Sequence, residues 1–191
     1  MKGLTVEEAR GWCAQVGPQE SNGVLRYETS NQDYSFFVLA PETFREITIL
    51  ARAMLVFRGD ANFYGGLLWL RRWDIGSPQL VHAGWRIMEE MRGAHGEPRS
   101  LEMAPAQLFR EDELTDLHVF LIQVIGFGLV ADLVPTAGSF FVHFKDNRQV
   151  CFTCESMELL NELRTTFTAW NPTDHDPMIL RIAELEPRRT T

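Results

Sequence analysis

Residues 140–154 read FFVHFKDNRQVCFTC, and this stretch decides the fold. Two alternating runs flank the polar segment Asp146-Asn147-Arg148, which is typical of a β-hairpin. A two-residue loop would mix apolar and polar side chains on each face, and Asp-Asn-Arg lacks the Asn-Gly or Asp-Gly of a tight two-residue turn. Since a slip of one residue turns every side chain to the other face, burial selects a three-residue loop. That loop predicts three apolar pairs on one face: Phe144 with Val150, Val142 with Phe152, and Phe140 with Cys154.

The same stretch contains a C-x-x-C pattern, Cys151-Phe152-Thr153-Cys154. In the predicted register, Cys151 and Cys154 point to opposite faces of the sheet. Two thiols placed in this way cannot bind one metal ion or form a disulfide. No second metal-binding pair accompanies them in the sequence. We therefore expect no metal site and no cofactor.

The predicted register also makes His143 and Cys151 direct cross-strand neighbours, with Cβ atoms about 5 Å apart. A cysteine beside a histidine is the minimal form of an activated thiol nucleophile. In the alternative, the two side chains only pack on a half-exposed face, since the sequence identifies no orienting carboxylate and no oxyanion hole. His143 and Cys151 are thus the candidate catalytic pair.

A carboxylate, Asp132, stands within Leu129–Val134, which reads as an interior strand. Burial would raise the pKa of such a group and would suit it to act as an acid or a base. The alternative places Asp132 near the end of the strand, where it meets a backbone donor.

A candidate binding surface comes from the strand predicted over Leu67–Trp73. Alternation places Trp69, Arg71 and Trp73 on one face, where an arginine between tryptophans can stack on their rings. Tryptophan and arginine also commonly anchor protein interfaces, and Trp85 on the next helix would extend the cluster. In the more common alternative, a helix covers this face and the arginine extends past it to solvent.

The remaining pattern predicts an α+β fold, a largely antiparallel sheet of six or seven strands with helices packed on it. Thr5 and Glu8 form a capping box at the start of the first helix. Strands at Val24–Glu28 and Tyr34–Ala40 read as a hairpin, followed by a helix from Pro41 to about Phe57 with a broad apolar face.

We expect a single domain over residues 1–191, with a tail at 171–191 in which Met178–Leu185 forms an edge strand or a short helix. Residues 24–57 and 140–170 both read as a hairpin followed by a helix. This order suggests two duplicated halves, although hairpin-then-helix is also a common local arrangement.

Composition limits the class of protein. The chain has 191 residues, 45% of them hydrophobic and 23% charged, and a formal net charge of −8. An acidic chain without a run of lysine or arginine is a poor partner for nucleic acid. The longest apolar stretch, Val119–Ala131, is too short to span a membrane. With no signal peptide and an odd number of cysteines, we expect a cytoplasmic protein.

Two functions compete at this stage. The sequence favours a non-catalytic intracellular binding or protein-interaction protein, whose partner is a protein or a small molecule, because no known catalytic motif is present. The alternative is a small cysteine-dependent enzyme that performs acyl transfer or hydrolysis with His143 and Cys151.

Overall fold

The computed structural model describes residues 1–27, 34–56, 64–72, 78–145 and 148–175. The described strands are β1 (Lys2–Leu4), β2 (Pro18–Ser21), β3 (Val24–Tyr27), β4 (Tyr34–Leu39), β5 (Gly65–Arg72), β6 (Ala106–Arg110), β7 (Val130–Pro135), β8 (Phe140–Phe144) and β9 (Gln149–Cys154). The described helices are α1 (Val6–Val16), α2 (Phe44–Leu55), α3 (Pro78–Ala94), α4 (Leu114–Phe127) and α5 (Met157–Thr166), with single 3-10 turns at Glu111–Glu113 and Thr168–Trp170.

Seven strands form one sheet in the order β1-β6-β5-β7-β8-β9-β4, and every neighbouring pair is antiparallel. The predicted α+β class with a largely antiparallel sheet is confirmed. The register predicted for the C-terminal hairpin is confirmed as well, because Phe144 pairs with Val150 and Phe140 with Cys154. Arg148 has a left-handed backbone, with φ of 62°, as the last residue of a three-residue hairpin loop requires.

The sheet separates two apolar cores. The larger core lies between the sheet and α2, α3, α4 and α5, and its strand residues include Phe36 and Phe152, whose rings stack 4.8 Å apart. The smaller core lies on the other face, where Ala9 and Cys13 of α1 and Leu25 of β3 pack near Trp69. Alternation along each strand decides which side chain joins which core.

The predicted pairing of the segments at 24–28 and 34–40 is wrong. β3 pairs with β2 in a separate two-stranded sheet, whereas β4 pairs with β9 at the edge of the main sheet. The turn that decides this is Asn22-Gly23, where both residues have positive φ, 53° and 80°. An Asn-Gly turn is a strong local signal for a tight hairpin, so β2 and β3 pair with each other. Residues 24–57 therefore lack the hairpin of 140–170, and duplication loses that support.

Helix α1 begins with the predicted capping box, in which Glu8 N–H donates to Thr5 Oγ1 and Thr5 N–H donates to Glu8 Oε2. Helix α2 begins at Phe44, after the N-cap Thr43, and not at Pro41. The broad burial expected for α2 is wrong, because Phe44 and Ile49 are exposed and only one stripe faces the core. Strands β1 and β6 were not predicted.

Within the described residues, no helix combines the length and apolarity that crossing a bilayer demands. The segment Met178–Leu185 lies outside the described residues.

Candidate active site

Four side chains form one row across the face of the sheet that carries α1. The pairing places Trp69 of β5 opposite Asp132 of β7, Asp132 opposite His143 of β8, and His143 opposite Cys151 of β9. Directly opposed residues point to the same face, with Cβ atoms about 5 Å apart. The row therefore brings a carboxylate, an imidazole and a thiol together in that order.

Asp132 holds the imidazole. Its Oδ1 lies 2.6 Å from Nδ1 of His143, and its Oδ2 accepts a hydrogen bond of 2.5 Å from Nε of Arg71. The Asp132 side chain is only 2% exposed, which is tolerable for a carboxylate only when its charge is paired. Asp132 thus lies in the middle of β7 and meets two side chains, not the backbone donor that the sequence suggested.

The hydrogen bond to Asp132 fixes the tautomer of His143. A carboxylate only accepts hydrogen bonds, so Nδ1 of His143 is the donor and carries the proton. In the neutral ring the lone pair is then on Nε2. The His143 side chain is 32% exposed and lines two cavities, so the ring is accessible to a ligand in either one.

Cys151 is half-buried beside this imidazole, and the hydroxyl oxygen of Thr153 lies 3.8 Å from its sulfur. Thr153 is paired across the sheet with Ser35 of β4. Two hydroxyl groups thus occupy the next row from the thiol. Hydroxyls in this position are suited to donate hydrogen bonds to a negatively charged oxygen.

Two cavities adjoin the row. The hairpin cavity, about 270 Å³, lies between the β2–β3 hairpin and the sheet and is lined by residues 23–26 with Ser35, Asp132, Phe141, His143, Cys151 and Thr153. The Trp69 cavity, about 430 Å³, is lined by Val6, Arg10, Glu20, Gly23, Trp69, Leu70, Arg71, Pro105, Val130 and His143. Gly23 and His143 belong to both. Each cavity is of the size that small-molecule sites have, and neither is purely apolar.

One wall of the Trp69 cavity is an ion pair between the buried carboxylate of Glu20 and the exposed side chain of Arg10. Glu20 of β2, whose side chain is 3% exposed, accepts hydrogen bonds from Nε of Arg10 and from the backbone N–H of Gly23. Burial alone would raise the pKa of Glu20, but the hydrogen bonds from Arg10 and Gly23 lower it below its usual value. The carboxylate therefore stays charged and ties the hairpin turn to α1.

The other two thiols are chemically distinct from Cys151. Burial raises the pKa of Cys13 to about 12 and that of Cys154 to about 11. Cys154 belongs to the larger core and Cys13 to the smaller one, while Cys151 lines the hairpin cavity. Cys151 and Cys154 lie on opposite faces, as predicted. The described residues contain no group of three or more His, Cys, Asp and Glu side chains that is able to hold a metal ion.

The structure places the predicted Trp/Arg cluster differently. Trp69 is 2% exposed and Arg71, with a side chain 12% exposed, lies over its ring, 3.4 Å from the centroid. Trp85 packs against the larger core, on the other face of the sheet, and does not extend the cluster. Trp73 lies outside the described residues. Trp69 and Arg71 therefore lie largely buried in the lining of the Trp69 cavity.

Comparison with protein-family models, with curated proteins and with solved structures finds no match for this chain. The interpretation of the site rests on its geometry.

Sequence reasoning identified His143 and Cys151 together but did not place Asp132 and Arg71 beside them. The missing signal was the pairing of β7 with β8. Leu133 pairs with Val142 across the turn at 136–139, and this register puts Asp132 opposite His143. Apolar residues at 131, 133, 142 and 144 alternate in phase, so the hydrophobic pattern contained that register.

Proposed function

We propose that this protein is a cysteine-dependent acyl hydrolase or acyltransferase that acts on a small molecule bound in the hairpin cavity. The observation that supports this most directly is the row Asp132–His143–Cys151, in which a carboxylate orients the imidazole and the imidazole adjoins a thiol. A nucleophile, a base and a group that orients the base are the three parts of nucleophilic acyl transfer.

In the proposed reaction, Nε2 of His143 takes the proton of the Cys151 thiol while the sulfur attacks the acyl carbon of the substrate. A carbon–sulfur bond forms, and the π-electron pair of the carbonyl moves to its oxygen. When the carbonyl re-forms, the leaving group departs with its electron pair and takes the proton from His143. Water, or another nucleophilic acceptor, then attacks the thioester carbon and gives a proton to Nε2 of His143. The carbon–sulfur bond breaks, and the sulfur leaves with its electron pair and takes that proton from His143.

The negatively charged oxygen of the intermediate needs donors. We assign this role to the hydroxyl groups of Thr153 and Ser35, which line the hairpin cavity one row from the thiol. The proposed chemistry needs a reduced Cys151, which a reducing compartment such as the cytoplasm maintains.

Hydrolysis of p-nitrophenyl acetate tests the proposal. We expect the wild-type protein to release p-nitrophenol faster than buffer does, with a first turnover that exceeds the later rate if the acyl-enzyme accumulates. Cys151→Ala removes this activity, and His143→Gln lowers it about a hundredfold or more. His175→Gln, an exposed histidine outside the site, is the matched control and retains the wild-type rate.

Retained turnover in Cys151→Ala contradicts the proposal. If the wild-type protein neither turns over the ester nor carries a reactive Cys151, the non-catalytic binding function suggested by the sequence is the better account. The cavities are then binding sites in which Trp69 and Arg71 contact the ligand.

A further inference from the structure

The arginine beside the row has hydrogen-bonding capacity that the described residues leave unused. Nε of Arg71 donates to Asp132, and the guanidinium lies over the Trp69 ring, 3.4 Å from its centroid. Nη2 of Arg71 is buried and has no hydrogen-bond partner among the described residues. A buried cationic donor without an acceptor is costly and unusual, so such a group calls for an explanation.

The position of Arg71 explains why this donor has no partner among the described residues. Its side chain lines the Trp69 cavity, which shares the lining residues Gly23 and His143 with the hairpin cavity. Because Asp132 and Trp69 hold the guanidinium in place, its remaining donors have a fixed orientation, as recognition of an oxyanion requires. A ligand oxygen in the Trp69 cavity would satisfy them.

The charges around the two cavities also favour a ligand that carries an oxyanion. Arg10, Arg26 and Arg71 line them, against the carboxylates Glu20 and Asp132. Each carboxylate is already bonded to one arginine, Glu20 to Arg10 and Asp132 to Arg71. The lining therefore has one more arginine than carboxylates, in a chain whose net charge is −8. The surplus arginine is Arg26 in the hairpin cavity, and its charge favours a negatively charged ligand across the two cavities.

The strand spacing gives the distance between the Arg71 guanidinium and the Cys151 thiol. Neighbouring strands lie about 4.8 Å apart. Cys151 on β9 and Asp132, which holds Arg71, on β7 are separated by one intervening strand. The guanidinium of Arg71 lies between Asp132 on β7 and Trp69 on β5. It is therefore two to three strand spacings, about 10 to 14 Å, from the sulfur of Cys151.

We infer that the substrate carries an oxyanion, a carboxylate or a phosphate, that binds Arg71 in the Trp69 cavity while its acyl carbon lies about 10 to 14 Å away at Cys151. This inference rests on the proposed function, because it takes Cys151 as the reacting group. It defines the substrate as an acyl compound with a negatively charged end at a set distance from the acyl carbon.

A pair of alkylating agents matched in length tests the inference. The iodoacetyl derivative of 6-aminohexanoic acid carries a carboxylate at the required distance, and its methyl ester is the neutral counterpart. In both, the sulfur of Cys151 forms a bond to the methylene carbon, iodide leaves with the electron pair of the broken bond, and His143 takes the thiol proton. The measurement is the rate of labelling at Cys151 by peptide mass spectrometry, with N-acetylcysteine as the reference thiol.

Relative to N-acetylcysteine, we expect the acid to label Cys151 about tenfold faster than the ester does, the effect of one charge-assisted hydrogen bond. Arg71→Met removes this preference. The matched control is Arg86→Met, an exposed arginine on α3, which retains the preference. An unchanged preference in a folded Arg71→Met protein overturns the inference.

The length of the probe provides a test that needs no variant. Iodoacetylglycine, whose carboxylate is too near the reacting carbon to reach Arg71, shows no advantage over its own methyl ester in the wild-type protein. An equal advantage for the short acid, or none for the long acid, overturns the inference even if Arg71→Met fails to fold. Slow labelling by both long probes is a different result, since it removes the activated thiol and with it the proposed function.

Discussion

At the scale of single residues, Asp132 changes the interpretation of the site. A carboxylate in a buried strand is unfavourable unless its charge is paired, and here the partners are Arg71 and His143. The sequence showed that Asp132 was unusual. It did not show which side chains surround it, because those lie 61 and 11 residues away along the chain.

The ion pair between Arg71 and Asp132 predicts non-additive stability. Asp132→Ala leaves the guanidinium in a largely buried position without its carboxylate, and we expect a loss of about 3 kcal/mol in the free energy of unfolding. Adding Arg71→Met removes the uncompensated charge. The double variant therefore loses less free energy of unfolding than the two single variants lose together. Urea denaturation at pH 7 measures this cycle. Additive losses would show that the two side chains do not interact.

At the scale of elements, the turn between β7 and β8 packs against the end of α1. Gly138 has a φ of 67°, and a Cβ built on it would lie 1.7 Å from the carbonyl oxygen of Val16. The hydroxyl of Tyr27 donates to the carbonyl of Gly138 over 2.9 Å, which joins β3 to the same turn. This contact fixes the hairpin and α1 over the face that carries the site.

Substitution of Gly138 by alanine should therefore strongly lower the free energy of unfolding. The new Cβ meets backbone, which cannot move aside as the end of a side chain can, and the left-handed φ adds strain. We expect Gly138→Ala to lose at least about 2 kcal/mol. The control, Gly11→Ala on an open face of α1, is neutral or gains up to about 1 kcal/mol through helix propensity. Similar melting temperatures for the two variants would refute this packing.

Strand β1 is held at the edge of the sheet by a charged clamp. Glu97 accepts hydrogen bonds from the backbone N–H of Gly3 and from Nε and Nη2 of Arg99, and Arg99 also donates to the carbonyl of Gly3. We expect Glu97→Gln to lower the urea midpoint at pH 7 and to loosen β1, seen as faster amide exchange in residues 2–4. Wild-type exchange in this variant would show that pairing with β6 alone holds the strand.

Local signals explain which elements were predictable. The C-terminal hairpin was placed correctly because its alternation and loop length agree on one register. The β2–β3 hairpin was missed although Asn22-Gly23 marks it, because the first strand, Pro18–Ser21, has four residues and no alternation of apolar and polar side chains. Strand β1 has only three residues, too few for alternation to identify it. Strand β6 carries apolar side chains on both faces, Ala106 and Leu108 on one and Phe109 on the other, so it does not alternate.

At the scale of the whole molecule, the two faces of the sheet have different roles: one carries the larger core and the other carries the site. The helices α2 to α5 build the larger core on one face. The other face is covered by α1 and the β2–β3 hairpin, which leave the two cavities over the row of polar side chains. The fold class followed from the sequence, whereas the site depends on contacts between strands that are distant in the chain.

The buried thiols of Cys13 and Cys154 and the carboxylate of Glu97 make the free energy of unfolding depend on pH. The pKa values of Cys13 and Cys154 are raised from about 9 by burial, so their contribution is complete below pH 9 and is lost as the pH rises through about 11 to 12. The hydrogen bonds from Arg99 lower the pKa of Glu97 from 4.5 to about 2, so its contribution is complete above pH 4.5 and is lost as the pH falls through 2.

We therefore expect the free energy of unfolding to fall on both sides of the range between these limits, as measured by urea denaturation across pH. Cys13→Ala should reduce the alkaline slope, and Glu97→Gln the acid slope. Slopes that stay unchanged in these variants would assign the pH dependence to other groups.

The activated thiol is tested most directly by the rate at which iodoacetamide alkylates Cys151 at pH 7, with the labelled residue identified by peptide mass spectrometry. We expect Cys151 to react at least about tenfold faster in the folded protein than in urea, where the thiol has no histidine beside it. We also expect Asp132→Asn to abolish this difference while Cys13 and Cys154 stay unlabelled. A folded-state rate equal to or below the rate in urea would contradict the account.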